Sequence, residues 1–186
     1  MMNQGYLRAD RTAAADECFT PHFAVAPLLE FIPYDWRVWC PFDEDFSAFY
    51  RTFKENGYTV HRSSLVEGQN FFDYKPPDNY DVIISNPPYS IKDRVLSCLY
   101  ELNKPFAMLM PIATLQGKAR FKLFKQGLEL LVFDSRVPYH TQGDFEKPRS
   151  GVHFGSAYFC KGILPDKLVF RELNKFNRPL KREEDA

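Results

Sequence analysis

Apolar positions along this chain follow two periods. Short continuous apolar runs span residues 37–42, 58–61, 80–85, 106–110, 129–133 and 154–160, the length and composition of buried strands, and Phe71–Phe72 marks a weaker candidate. Between them the spacing turns helical. Phe46, Phe49, Tyr50 and Phe53 fall at i, i+3, i+4 and i+7 before Asn56-Gly57, and Ile91, Val95, Cys98, Leu99 and Leu102 mark one face of another helix. Thr20-Pro21 reads as a hydroxyl cap followed by proline at the first helical position, with Phe23, Leu28, Leu29 and Ile32 behind it. Ser90 with Asp93 reads as a capping box, and a further helix is predicted over 117–126.

Strands alternating with amphipathic helices predict an α/β fold: a mostly parallel sheet with helices on both faces. The last two strands lack an intervening helix, which predicts an antiparallel closing strand. The pattern contains no repeat and no linker, so 1–186 reads as one domain. Its parts are a loose arm at 1–18, a core at 19–165, and a tail at 166–186 in which Leu168, Val169, Phe170, Leu173 and Phe176 suit a docking helix.

Composition sharpens this picture in two places. The 24 Lys+Arg and 24 Asp+Glu cancel, which excludes a uniform electrostatic grip on a polyanion. The cancellation is uneven, however: residues 1–93 carry 8 basic against 14 acidic side chains, and residues 94–186 carry 16 against 10. No apolar run approaches the ~20 residues that span a bilayer. Cys18, Cys40, Cys98 and Cys160 lack metal-ligand spacing and follow no secretory signal, so a cytoplasmic protein with reduced thiols is expected, with no metal and no membrane partner. His22, His61, His140 and His153 are scattered and receive no catalytic role.

The candidate chemistry sits at Asn86-Pro87-Pro88-Tyr89, directly after the most hydrophobic strand. Ligands of such sheets bind beyond the carboxyl ends of the strands. An amine on an aromatic or amide carbon is a poor nucleophile because its lone pair is delocalised. Two acceptors, the Asn86 side-chain oxygen and the Pro87 carbonyl, can take both N–H hydrogens and draw that nitrogen toward an electron-rich, tetrahedral state. Proline suits the position because its ring fixes φ and so holds the acceptor in place, with Pro88 extending the rigid stretch. Tyr89 supplies a face on which a planar substrate stacks, a contact worth roughly 1–3 kcal/mol per base.

Asn-Pro-Pro-Tyr after a hydrophobic strand resembles the catalytic motif of the S-adenosylmethionine-dependent amino methyltransferases, chiefly the DNA adenine-N6 enzymes. Cys18-Phe19-Thr20-Pro21 is similar to that family's amino-terminal segment against the cofactor. Trp39-Cys40-Pro41-Phe42-Asp43 takes the place of its first strand and cofactor loop, and Gly68-Gln69-Asn70-Phe71-Phe72 that of the segment beside the cofactor's adenine. The order, over roughly residues 17–165, is that of small phage-encoded adenine methyltransferases. The resemblance implies a Rossmann-like seven-stranded methyltransferase sheet with a reversed last strand, S-adenosylmethionine as cofactor, and DNA as partner. It implies that Asn86, Pro87, Pro88 and Tyr89 are catalytic, and that Phe19, Thr20, Pro21, Cys40, Pro41, Phe42, Asp43, Asn70 and Phe71 border the cofactor.

The cofactor loop departs from the family's pattern: Phe42 is followed by Asp43-Glu44-Asp45 with no glycine until Gly57. These acids either meet the cationic part of the cofactor or cap the following helix. For DNA, Lys118, Lys122 and Lys125 share one helical face in a stretch without acids, while Arg136, Tyr139 and Arg149 place charge and an aromatic ring around a long loop. No segment is large enough for separate target recognition, so a relaxed target sequence, a homodimer or a specificity partner is expected. Two other readings stay open: a different planar amine as acceptor, in RNA guanine or protein glutamine, and a methyltransferase-like shell that binds DNA or a partner without catalysis.

Overall fold

The computed structural model describes residues 19–76, 79–140 and 154–174. Seven strands form one sheet: β1 (Val38–Cys40), β2 (Val60–Arg62), β3 (Val82–Ser85), β4 (Phe106–Pro111), β5 (Glu129–Phe133), β6 (Ser156–Lys161) and β7 (Leu168–Arg171), in the order β2-β1-β3-β4-β6-β5-β7. β1 pairs in parallel with β2 and β3, and β3 with β4, whereas β6 runs antiparallel to both β4 and β5. β5 and β7 are parallel. Six strands therefore share one direction and β6 opposes them. This is the mostly parallel sheet that the pattern predicts, Rossmann-like as the resemblance implies; the reversed strand is β6, the 154–160 run expected to be antiparallel, and β7 follows it as an additional strand.

Helices cover both faces because side chains alternate across each strand. Val38, Cys40, Val82, Ile84, Ala107, Leu109, Tyr158 and Cys160 face one layer, made by α1 (His22–Val25), the 3-10 segment Ala26–Glu30 and α2 (Ala48–Glu55). Trp39, Ile83, Phe106, Met108, Met110 and Phe159 face the other, made by α3 (Lys92–Leu102) and α4 (Lys118–Phe124). In α2 the buried residues Ala48, Phe49, Thr52 and Phe53 form one stripe, and the helix stops at Asn56-Gly57. Gly57 has φ +81°, and a Cβ there would lie 2.6 Å from the Tyr34 hydroxyl. The positive φ favours glycine there, while the Tyr34 hydroxyl, at the end of an exposed side chain, can give way.

Several local expectations change in the structure. Thr20 forms no side-chain cap: Pro21 is the N-cap of α1, and the chain tightens to 3-10 geometry where Pro27 enters. Ser90 lies within a 3-10 turn (Tyr89–Ile91), and α3 begins at Lys92 without a side-chain cap. Phe71 and Phe72 lie in a turn rather than a strand; Phe71 is buried against Trp39 and Phe42, with ring centroids 5.5 and 5.0 Å apart. The expected docking helix at 168–173 is instead β7, because the open edge of β5 offers hydrogen-bonding groups and Leu168-Val169-Phe170 alternates exposed, buried, exposed. The arm at 1–18 with Cys18, the loop residues Phe145, Lys147, Arg149 and His153, and Phe176 of the tail lie outside the described residues.

A strand and a helix at 168–171 make different demands on neighbouring positions. Val169 is 7% exposed and Phe170 63%. Val169→Asp is expected to cost about 2–4 kcal/mol and Phe170→Asp less than about 1 kcal/mol, measured by urea denaturation. Equal costs at the two positions would contradict the strand.

Candidate active site

The chain leaves β1, returns as β2 on one side, and then places β3 on the opposite side of β1. The loops after β1 and β3 diverge at this point, which opens a crevice beyond their carboxyl ends. A cavity of about 350 Å³ fills it, within the size range of small-molecule and cofactor sites. Its floor is the two strand ends, and its walls are the 42–51 segment, the Asn86-Pro87-Pro88 turn, and Phe19 to His22. Phe19 is held there by a two-way backbone bridge with His140 (3.1 and 2.8 Å), so that His140 also reaches the cavity.

Asp43 joins the two loops. Its carboxylate, 4% exposed, accepts a 2.5 Å hydrogen bond from the Ser85 hydroxyl at the end of β3, and the Ser47 hydroxyl, which accepts from the Glu44 N–H (2.8 Å) at the start of α2, also favours its charged form. The Asp43 backbone N–H meets the Ser63 carbonyl (3.2 Å), the Ser63 N–H meets the Cys40 carbonyl (3.0 Å), and the Trp39 indole N–H donates to the Ser63 hydroxyl (2.9 Å). One residue thereby ties together the ends of β1, β2 and β3. No Lys, Arg or His forms an ion pair with Asp43 among the described residues. Burial pushes its pKa from an ordinary 3.8 up to about 7, against the Ser85 and Ser47 hydroxyls, which favour the carboxylate. Glu44 also lines the cavity, whereas Asp45 turns outward to Arg62 (2.7 Å).

The catalytic candidates follow Ser85 directly. The Asn86 amide N–H donates to the Thr20 hydroxyl (3.3 Å), a contact that orients the amide against the amino-terminal segment. Asn86, Pro87 and Pro88 line the cavity. Tyr89 lies beside it: its hydroxyl donates to Tyr139 (3.0 Å), Tyr139 donates to Ser156 (2.7 Å), and the Tyr89 ring stands edge-on to Phe154 at 5.7 Å.

Of the cofactor candidates, Phe19, Thr20, Pro21, Phe42 and Asp43 come together around the cavity. Cys40 and Pro41 are buried behind its wall. Phe71 backs Phe42, and the Asn70 side chain is engaged locally with the Phe72 N–H and Asp73 (3.3 and 2.9 Å), so neither lines the cavity. Among the DNA candidates, Lys118 and Lys122 of α4 and Lys125 just beyond it are exposed, as is Arg136. Tyr139 requires correction: at 2% exposed it anchors Tyr89 and presents no ring to a ligand. Sequence reasoning overlooked His22, Phe46, Ser47, Phe49, Arg51 and His140 as cavity residues. For Phe46 and Phe49 the helical period pointed only to the core, and no local signal marks His140, whose place depends on the bridge to Phe19.

The raised Asp43 pKa has a consequence for stability. Between about pH 4 and pH 7 the folded protein retains a proton that the unfolded chain has released, so this group's contribution to stability falls as pH rises through that interval and is constant above it. Asp43→Asn keeps an acceptor for Ser85 without the buried charge. It is expected to raise stability above pH 7, by at most about 4 kcal/mol, and to lose that advantage by about pH 4, as read from thermal melts across pH. A variant less stable than the parent at pH 8 would contradict this electrostatic picture.

No protein-family model and no curated protein matches this sequence. Solved structures that resemble the fold include two of low sequence identity. One is a candidate class I S-adenosylmethionine-dependent methyltransferase from Listeria monocytogenes, with a TM-score of 0.49 and 15% identity over 88% of this chain and 68% of that one. The other is a predicted O-methyltransferase from Agrobacterium tumefaciens, with a TM-score of 0.43 and 8% identity over 78% of this chain and 82% of that one.

Proposed function

We propose that the protein transfers a methyl group from S-adenosylmethionine to the exocyclic N6 amine of adenine in DNA. The observation that carries this reading is the placement of Asn86-Pro87-Pro88 at the carboxyl end of β3, lining a 350 Å³ cavity at the point where the strand order reverses. The acceptor chemistry of that turn and the rest of the cavity wall are therefore neighbours.

The donor set suits the cofactor. S-adenosylmethionine brings a sulfonium, an ammonium, a carboxylate, a ribose diol and a flat adenine. The cavity offers the acids Asp43 and Glu44, the guanidinium of Arg51, and the rings of Phe19, Phe42 and Phe46. The acids serve the cationic groups and the diol, Arg51 the carboxylate, and the rings the adenine face. The absence of a glycine loop is met by a buried side chain: Asp43 turns inward onto Ser85 and fixes the loop that glycines would otherwise let approach. When bound, the cofactor supplies an electrophilic methyl group.

The chain's own part is to prepare the acceptor. The Asn86 side-chain oxygen and the Pro87 carbonyl accept the two amine hydrogens, which localises the nitrogen lone pair toward the methyl group without a strong base. Thr20 holds the amide through its N–H, leaving the amide's oxygen for acceptor work. Tyr89, anchored by Tyr139, is the stacking platform for a base swung out of the duplex. The exposed Lys118, Lys122, Lys125 and Arg136 lie in the basic half of the chain and meet phosphates, giving salt-sensitive DNA binding.

Expression in a host without adenine methylation, followed by genome-wide mapping of modified bases, tests the reading. The parent is expected to deposit N6-methyladenine. Asn86→Ala is expected to lower turnover about 10²–10³-fold while the protein stays folded, because one transition-state acceptor is lost. Turnover of Asn86→Ala within about threefold of the parent would contradict the assigned role. Methyl transfer to RNA guanine or to protein glutamine instead would move the same chemistry to another acceptor.

A further inference from the structure

We propose that the Asp43 carboxylate reads the charge of the cofactor, so that the cavity holds the sulfonium form in preference to the neutral thioether that remains after methyl transfer. The inference rests on the reading of the cavity as a cofactor site and adds a residue that discriminates cofactor from product. Its basis is geometric. Asp43 lies on the cavity wall, is 4% exposed, and has the Ser85 hydroxyl as hydrogen-bond partner and no Lys, Arg or His in an ion pair with it among the described residues. A buried carboxylate compensated only by neutral donors is costly, and a cation in the adjoining cavity is the partner that offsets this cost. Transfer of the methyl group leaves its bonding electron pair on sulfur and abolishes the positive charge. The product therefore loses the interaction that held the cofactor, and its release is favoured.

Protonation of Asp43 removes the same interaction. Since burial pushes its pKa up to about 7, the preference should vary within the accessible pH range. Six other titratable or charged groups face this region: Cys40, Glu44, Arg51, His22, His140 and Tyr158. Cys40 and Tyr158 are pushed well above their ordinary values by burial and stay neutral. His22 is lowered by burial, yet on protonation it would repel a cation and so act in the same direction as Asp43, which makes it the necessary control.

The test is calorimetric binding of S-adenosylmethionine and S-adenosylhomocysteine to the full chain at about pH 5.5 and about pH 7.5. The affinity ratio in favour of the sulfonium is expected to rise about tenfold across this range in the parent and in His22→Gln and His140→Gln, and to be flat in Asp43→Asn. Should Asp43→Asn fail to fold, the parent decides alone. Near its midpoint, binding of the sulfonium is expected to release a substantial fraction of a proton into buffers of different ionisation enthalpy, and binding of the thioether to release almost none. A ratio independent of pH in the parent, a dependence that persists in Asp43→Asn, or equal proton release with the two ligands would overturn the inference while leaving the cofactor site intact. Failure of both ligands to bind at either pH would overturn the cofactor site itself.

Discussion

The contact between Asp43 and Ser85 determines how the rest of the site is arranged. It links the loop after β1 to the end of β3 across the boundary where the strand order reverses, and the next residue after Ser85 is Asn86. The bond is possible because Val38 and Trp39 of β1 lie in parallel register with Val82 and Ile83 of β3, which brings the two strand ends level. The alternation of the strands sets the rest: Trp39 and Ile83 face one helix layer, and Val38, Cys40, Val82 and Ile84 face the other, so that both faces of these strands are covered and the cavity lies beyond the strand ends. A charge buried in that position is unfavourable in isolation. The side chain's acceptor oxygen joins two loops, a role that an uncharged amide also fills, and under the proposed function the charge itself serves the cationic ligand of the cavity that the carboxylate borders.

The division of charge along the sequence has a spatial meaning. The acidic half supplies the cavity through Asp43 and Glu44, while the basic half supplies the exposed lysines of α4 and its end. Under the proposed function, a neutral protein thus offers one surface to a cationic small molecule and another to a polyanion. The anchoring of Tyr89 links the two halves, since Tyr139 and Ser156, both carbon-terminal to the sheet's midpoint in sequence, hold the ring that belongs to the Asn-Pro-Pro-Tyr turn.

Much of this was legible in the sequence where the signal was local. The strands at Val82–Ser85 and Glu129–Phe133, Phe49 and Phe53 of α2 and its Asn56-Gly57 stop are short-range consequences of burial and backbone freedom, and they stand where the periodicity puts them, whereas Phe46 precedes the helix and is exposed. The Asn86 turn was legible because chemistry at the end of a buried parallel strand is positional. What escaped depends on contacts between distant residues. Leu168–Arg171 becomes a strand only because β5 offers it an edge. Tyr139 leaves the list of surface aromatics because Ser156 and Tyr89 capture its hydroxyl. His140 reaches the cavity through a bridge to Phe19, more than a hundred positions away. The acid run after Phe42 admitted two readings, and the cap reading fails: the helix that follows has no acid in its first turn and no side-chain cap, while Asp43 and Glu44 line the cavity and Asp45 turns outward to Arg62.

The central claim is that this cavity and its Asn-Pro-Pro-Tyr turn form one methyl-transfer site acting on adenine. The most direct measurement incubates the purified chain with methyl-labelled S-adenosylmethionine and unmethylated DNA, then identifies labelled nucleosides by mass spectrometry. The account predicts label in N6-methyladenine, dependent on the protein and on Asn86. Binding of the cofactor without label in any nucleoside, or label confined to cytosine, would contradict it.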